Sequence, residues 1–170
     1  VPLKLYEEHS AYTTLGAAKK LYDLPVEEVN PNYITPKMAL FRLNKIMDEY
    51  VAGCGSQYNC SETTLNIALR ELKMLKEDLS KLAARNLHEL MRCWEDVQRV
   101  QLAEAHTRHK LFREETRWPG YYYRTDYPKM EQEKWGDVFV NSIYDDETGE
   151  FKMFTRPKYS LVDIKEVVGM

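Results

Sequence analysis

Glycine is scarce in this sequence, with seven residues in 170, and they are scattered. None forms the Gly-rich loop that brings backbone N–H groups against a diphosphate, and no nucleophile elbow is present. A flavin-, nicotinamide- or triphosphate-binding fold is therefore excluded from the chain itself. Cysteine is limited to Cys54, Cys60 and Cys93. An odd number without zinc-like spacing is expected of reduced thiols in a cytoplasmic protein. No apolar run approaches the roughly 18 to 20 residues of a membrane span. Val1–Leu5 is too short for a signal peptide and meets Glu7, Glu8 and His9 at once. Asn59-Cys60-Ser61 fits a glycosylation sequon, which without a secretory signal is read as chance. Neither sign of charge dominates: 24 basic and 27 acidic residues leave a net −3. That balance gives no electrostatic reason to expect nucleic acid or an anionic membrane as partner, and the lack of an apolar span speaks against membrane insertion.

What is present is enough apolar material for a core. Hydrophobic residues make up 44% of the chain, and a chain of this size buries roughly 70% of its unfolded surface. Val1 in place of an initiating Met fits a piece of a longer polypeptide.

The pattern predicts a mainly α fold: a three-helix bundle with a carboxyl-terminal β-hairpin and extended amino- and carboxyl-terminal arms. Residues 1–35 read as an irregular arm broken by Pro2, Pro25 and Pro31, with one weak helix over Thr13–Leu21. The bundle is expected over 36–118. Thr35-Pro36 is a start signal, and Ala39, Leu43, Ile46, Met47 and Tyr50 recur at helical spacing until Gly53 and Gly55. From Ser61, a stripe of Leu65, Ala68, Leu69, Leu72, Leu75, Leu79 and Leu82 makes the clearest amphipathic helix, to about residue 82.

Asn86 and Glu89 resemble a capping box for a third helix to about Glu115, with Pro119-Gly120 beyond it. Its apolar face is read as Leu87, Leu90, Met91, Trp94, Val97, Leu102, Ala105 and Phe112. An aromatic-rich segment over 119–157 follows. In it, Val138–Val140 and Phe151–Phe154 flank Asp145-Asp146-Glu147-Thr148-Gly149 as a hairpin over 138–155. Residues 158–170 read as a tail.

Candidate chemistry is sparse. His88-Glu89-Leu90-Met91-Arg92 begins like a zinc-protease helix but carries Arg where the second His belongs. His106 and His109 could share a metal, yet no acidic residue stands three positions before either, so a metal-binding bundle ranks low. Cys54 and Cys60 lack further ligands nearby. These considerations give no catalytic, cofactor-binding or metal residue in the chain.

The densest feature is Phe112–Tyr127, which interleaves Arg113, Arg117 and Arg124 with Trp118, Tyr121, Tyr122, Tyr123 and Tyr127. Such a stretch can grip a nucleotide or an acidic partner. The structural reading pairs the arginines with Glu114, Glu115 and Asp126 as exposed ion pairs, each contributing about 0 to 1 kcal/mol.

That stretch, Phe112-Arg113-Glu114-Glu115-Thr116-Arg117-Trp118-Pro119-Gly120-Tyr121-Tyr122-Tyr123-Arg124-Thr125-Asp126-Tyr127-Pro128, resembles the alpha (flavoprotein) subunits of dissimilatory adenylylsulfate reductases. The likeness continues through Trp135, Phe139–Ser142, Thr148–Glu150, Met153-Phe154 and Arg156-Pro157. Upstream it takes in Asn30–Ile34, Lys45–Tyr50 and Ala103–His106.

More distantly, Arg113–Arg117 and Arg124–Tyr127 resemble succinate dehydrogenase and fumarate reductase flavoproteins. Those usually carry Glu-Ser-Arg-Gly-Ala-His here. Thr116 and Trp118-Pro119-Gly120 depart from that pattern and argue against succinate or fumarate as substrate. The resemblance implies a parent subunit that holds FAD and reduces adenylylsulfate to sulfite and AMP, or runs the reverse. It also implies an iron-sulfur beta subunit as partner, and it places the motifs for FAD and substrate upstream of this chain. The rival reading is a stand-alone helical interaction module that uses the 113–127 stretch.

Overall fold

The computed structural model describes residues 33–84, 87–117 and 121–158. The weak helix over Thr13–Leu21, the Asn86 cap, Trp118, Pro119-Gly120 and most of both predicted arms lie outside these residues.

Three long helices carry the fold: α1 (Pro36–Tyr50), α2 (Glu62–Asp78) and α3 (Leu87–Phe112). The start of α1 is set by Thr35, whose hydroxyl accepts the Met38 N–H at 3.3 Å, with Pro36 in the first turn. At its end Val51 caps the helix, and Ala52, with φ 60°, makes the left-handed reversal expected of glycine. Gly53 has a different duty. A Cβ there would lie 2.4 Å from the Asp48 Cα, so the loop closes against α1 only without a side chain.

Helix α2 opens on a reciprocal box: the Ser61 hydroxyl accepts the Thr64 N–H, and the Thr64 hydroxyl accepts the Ser61 N–H. It ends in a 3-10 turn at Leu79–Lys81. Ile34 then pairs beside Leu82, taking the Ala83 N–H and donating to the Lys81 carbonyl. This pairing ties the entry to α1 to the exit of α2.

The core lies between the three helices. Ala39, Leu43 and Ile46 come from α1, Leu65, Ala68, Leu72 and Leu75 from α2, and Leu79 and Leu82 from its extension. Leu65, Leu72 and Leu75 are essentially inaccessible, and burying each contributes about 1.5 to 3 kcal/mol.

On α3 the buried face differs from the predicted one. Cys93, Asp96, Val100, Ala103 and Thr107 point inward, whereas Leu102 is 69% exposed, Met91 is exposed and Trp94 is half-buried. The inward positions keep a three-four spacing, but Asp96 and Thr107 break its apolar signature. Inside the helix, Thr107 donates to the Ala103 carbonyl at 2.8 Å.

The described residues also form two small sheets. In the first, β1 (Asn59–Cys60) runs parallel to β2 (Tyr123–Arg124). In the second, β3 (Val138–Asp145) and β4 (Glu150–Pro157) form an antiparallel hairpin with Val138 opposite Pro157 and Asp145 opposite Glu150. A one-turn helix, α4 (Gln132–Trp135), precedes the hairpin. The hairpin packs on α2 and α3 through Lys76 donating to the Tyr144 hydroxyl at 3.2 Å and a His109–Ser142 bond of 3.0 Å. The fold is mainly helical, with one antiparallel strand pair, as the sequence predicts.

Candidate functional site

The Arg-aromatic stretch begins where α3 ends, at Phe112. That is earlier than the predicted end near Glu115, because Arg124 terminates the helix. Its guanidinium donates to the Lys110 and Leu111 carbonyls in the last turn of the helix, and to the Arg113 carbonyl just beyond it, which also accepts the Glu115 N–H. The same side chain meets Asp126 at two points, 2.9 and 2.7 Å. Asp126 in turn accepts the Glu62 N–H at the start of α2, at 2.8 Å. A cation thus sits at one helix's carboxyl end and an anion at the other's amino end, each favoured by the local dipole.

The backbone around this pair is fixed as well. Arg124 donates its N–H to the Thr116 hydroxyl, and that hydroxyl donates to the Tyr127 carbonyl at 2.9 Å. Tyr123 and Thr125 donate to the Tyr58 and Cys60 carbonyls, forming the parallel pair.

Glu115 organises the second half. Its fully buried carboxylate accepts from Arg113 and Arg117, both at 2.6 Å, and from the Glu131 N–H at 3.0 Å. Arg117 extends to Gln132 and Arg113 to the Trp135 carbonyl. Burial alone would push the Glu115 carboxyl up, but the bonds from Arg117 and Arg113 outweigh it and hold it below its ordinary value. Asp126 is held down by the Arg124 bond, against the effect of burial.

The exposed, low-value ion pairs expected from the sequence are therefore buried network members: Arg124 is 1% exposed and Glu115 0%. Glu114 pairs with Lys134 instead of an arginine. Trp135, which the sequence reading did not single out as a core residue, is buried between Phe112, Arg113 and Lys134. With Trp118 outside the described residues, Trp135 is the tryptophan seen to anchor this exit.

Among the described residues the histidines join no metal site. His88 is exposed on the first turn of α3, His106 is exposed, and His109 turns to Ser142. Burial pushes the His109 imidazole below its ordinary value. Among the described residues no group of three His, Cys, Asp or Glu could hold a metal ion. Cys54 is exposed beside the Tyr58 hydroxyl at 3.4 Å, while Cys60 and Cys93 are buried. Burial pushes the Cys93 thiol up to about 12, removing it from thiolate chemistry. No helix among the described residues is long and apolar enough to cross a membrane.

This bundle with its arginine-bound exit belongs to a class of flavoprotein tails: residues 41–167 match the fumarate reductase flavoprotein C-terminal family, and the chain is a member of it. Its particular likeness is to adenylylsulfate reductases. The alpha subunit from Megalodesulfovibrio gigas is 47% identical over 134 residues, covering 79% of this chain and 20% of that protein. Among solved structures, adenylylsulfate reductase from Archaeoglobus fulgidus is 52% identical with a TM-score of 0.76, over 90% of this chain and 24% of that one. An adenosine-5-phosphosulfate reductase in complex with sulfite matches at the same identity and TM-score. Mycobacterium smegmatis Sdh1, 19% identical with a TM-score of 0.61 over 87% of this chain and 24% of that one, shares the fold. The chain thus spans about a fifth to a quarter of the length of these relatives.

The family implies a flavin, and one helix start can be tested against its diphosphate. The helix start that lines a cavity, at Thr35-Pro36, has no N–H on Pro36, and the Thr35 hydroxyl occupies the Met38 N–H. That start therefore makes a poor cradle for a diphosphate.

Proposed function

We propose that this chain is the carboxyl-terminal helical part of an FAD-containing adenylylsulfate reductase alpha subunit. In that subunit it braces the flavin-binding part and presents surface to an iron-sulfur beta subunit, in the cytoplasm. The whole enzyme would reduce adenylylsulfate to sulfite and AMP, or run the reverse.

The observation that carries the reading is 52% identity with a TM-score of 0.76 to a solved adenylylsulfate reductase over 90% of the chain. The arginine network supports a bracing role, because Arg113, Arg117 and Arg124 spend their donors on internal carboxylates and carbonyls. The Arg124 guanidinium in particular is turned wholly inward, with bonds from all three of its nitrogens.

The test is to express the complete subunit with its partner and assay adenylylsulfate reduction with an artificial electron donor, and sulfite oxidation with AMP. A flavin-loaded complex active in either direction is expected. A complex that binds no flavin, or that turns over fumarate and leaves adenylylsulfate untouched, overturns the reading.

A further inference from the structure

Between the start of α1 and the middle of α3 lies a cavity of about 320 Å³ lined by Thr35, Pro36, Leu40, Arg92, Asp96 and Arg99 among others. Asp96 is 1% exposed, and its Oδ2 has no hydrogen-bond partner. Its other oxygen receives one stretched bond from Arg99, at 3.3 Å. The cations described around the cavity have other partners as well. Arg92 and Arg99 share Glu95, at 2.7 and 3.1 Å, and Lys37 lies over the Phe41 ring. A buried carboxylate held by one long bond is under-compensated, and burial accordingly pushes its carboxyl up.

We propose that this cavity receives a lysine or arginine side chain from the part of the parent subunit that lies outside this chain, with the cation paired to Asp96 Oδ2. The proposal rests on the functional reading above, since about three quarters of each solved relative's length lies beyond this chain. The volume is at the lower end of the range for built ligand pockets, room enough for one long side chain. The free acceptor calls for a donor, and a full charge is what a carboxylate at this depth lacks.

The test uses the complete, flavin-loaded subunit and reads its Tm. Asp96→Asn keeps an acceptor for Arg99 and removes the charge. The expected result is a fall of at least about 3 °C, against little change for Arg99→Gln, with flavin content intact. An unchanged or raised Tm in Asp96→Asn means a water or nothing fills the cavity, and overturns the proposal. A fall matched by Arg99→Gln, with no further loss in the double variant, assigns the effect to the pair within the chain and also overturns it. So does a Lys4→Gln/Lys19→Gln/Lys20→Gln/Arg85→Gln/Lys165→Gln variant that reproduces the Asp96→Asn loss, because the cation would then come from this chain's own residues. A subunit without flavin or activity refutes the functional reading instead, whatever its Tm.

Discussion

Arg124 and Asp126 form a two-point ion pair that joins the carboxyl end of α3 to the amino end of α2. Truncating Arg124 would strip the Lys110 and Leu111 carbonyls of the guanidinium and leave Asp126 uncompensated. Breaking a buried pair of this kind costs about 3 to 5 kcal/mol. Arg124→Ala should therefore unfold at markedly lower urea, and Arg124→Lys should recover little, because an ammonium cannot span the carboxylate and the helix end together. Near-wild-type midpoints for Arg124→Ala would return this residue to the mild, exposed role that composition suggests.

The distance between those two readings shows where sequence stops being informative. The α1 and α2 stripes are legible because every third or fourth position is apolar and the starts carry Thr35-Pro36 and Ser61. The exit network is not, because pairing Arg124 with Asp126 two residues on looks like any surface pair. Its burial depends on Tyr123 and Thr125 adding to Asn59-Cys60, a parallel contact across more than sixty residues. A two-residue strand leaves no periodic trace.

Glu115 should make stability depend on pH. Its carboxyl is held below the ordinary value in the fold, so its contribution is fully present above the unfolded value of about 4.3 and fades as pH falls through the folded one. Denaturation midpoints measured from pH 7 down to pH 3 should fall for the wild type. Glu115→Gln should start lower at pH 7, with Arg113 and Arg117 left without their anion, and vary less with pH. Parallel curves for the two proteins would show that this carboxylate is not the group being titrated.

The loop after α1 separates two kinds of backbone demand. Gly53→Ala forces a methyl to within 2.4 Å of the Asp48 Cα and must displace backbone. A loss of about 1 to 3 kcal/mol is expected, the usual cost of overpacking. Gln57 is exposed and already sits at φ 53°. Gln57→Gly relieves roughly 1 to 2 kcal/mol of left-handed strain, partly offset by the looser unfolded chain. Thermal melts should place the two variants on opposite sides of the wild type.

The face of α3 gives the sharpest contrast between pattern and packing. Read for apolar residues, the helix offers Leu102 and passes over Val100. In the fold Val100 is 2% exposed in the core while Leu102 stands 69% exposed. The helix presents Cys93, Val100 and Ala103 to the core, and Asp96 and Thr107 are buried along the same three-four spacing. Burying a polar atom without a partner costs about 1 to 3 kcal/mol, which is why a polar position argues against burial in a sequence reading. Thr107 escapes the cost by bonding its own helix, and Asp96 in part through Arg99. It follows that Val100→Ser, which removes core contacts and buries a hydroxyl, should cost about 2 to 4 kcal/mol. Leu102→Ser should stay within about 0.5 kcal/mol in this chain. Equilibrium urea unfolding of the two variants decides the matter: equal losses, or a larger loss for Leu102→Ser, would mean the helix is rotated from the face described.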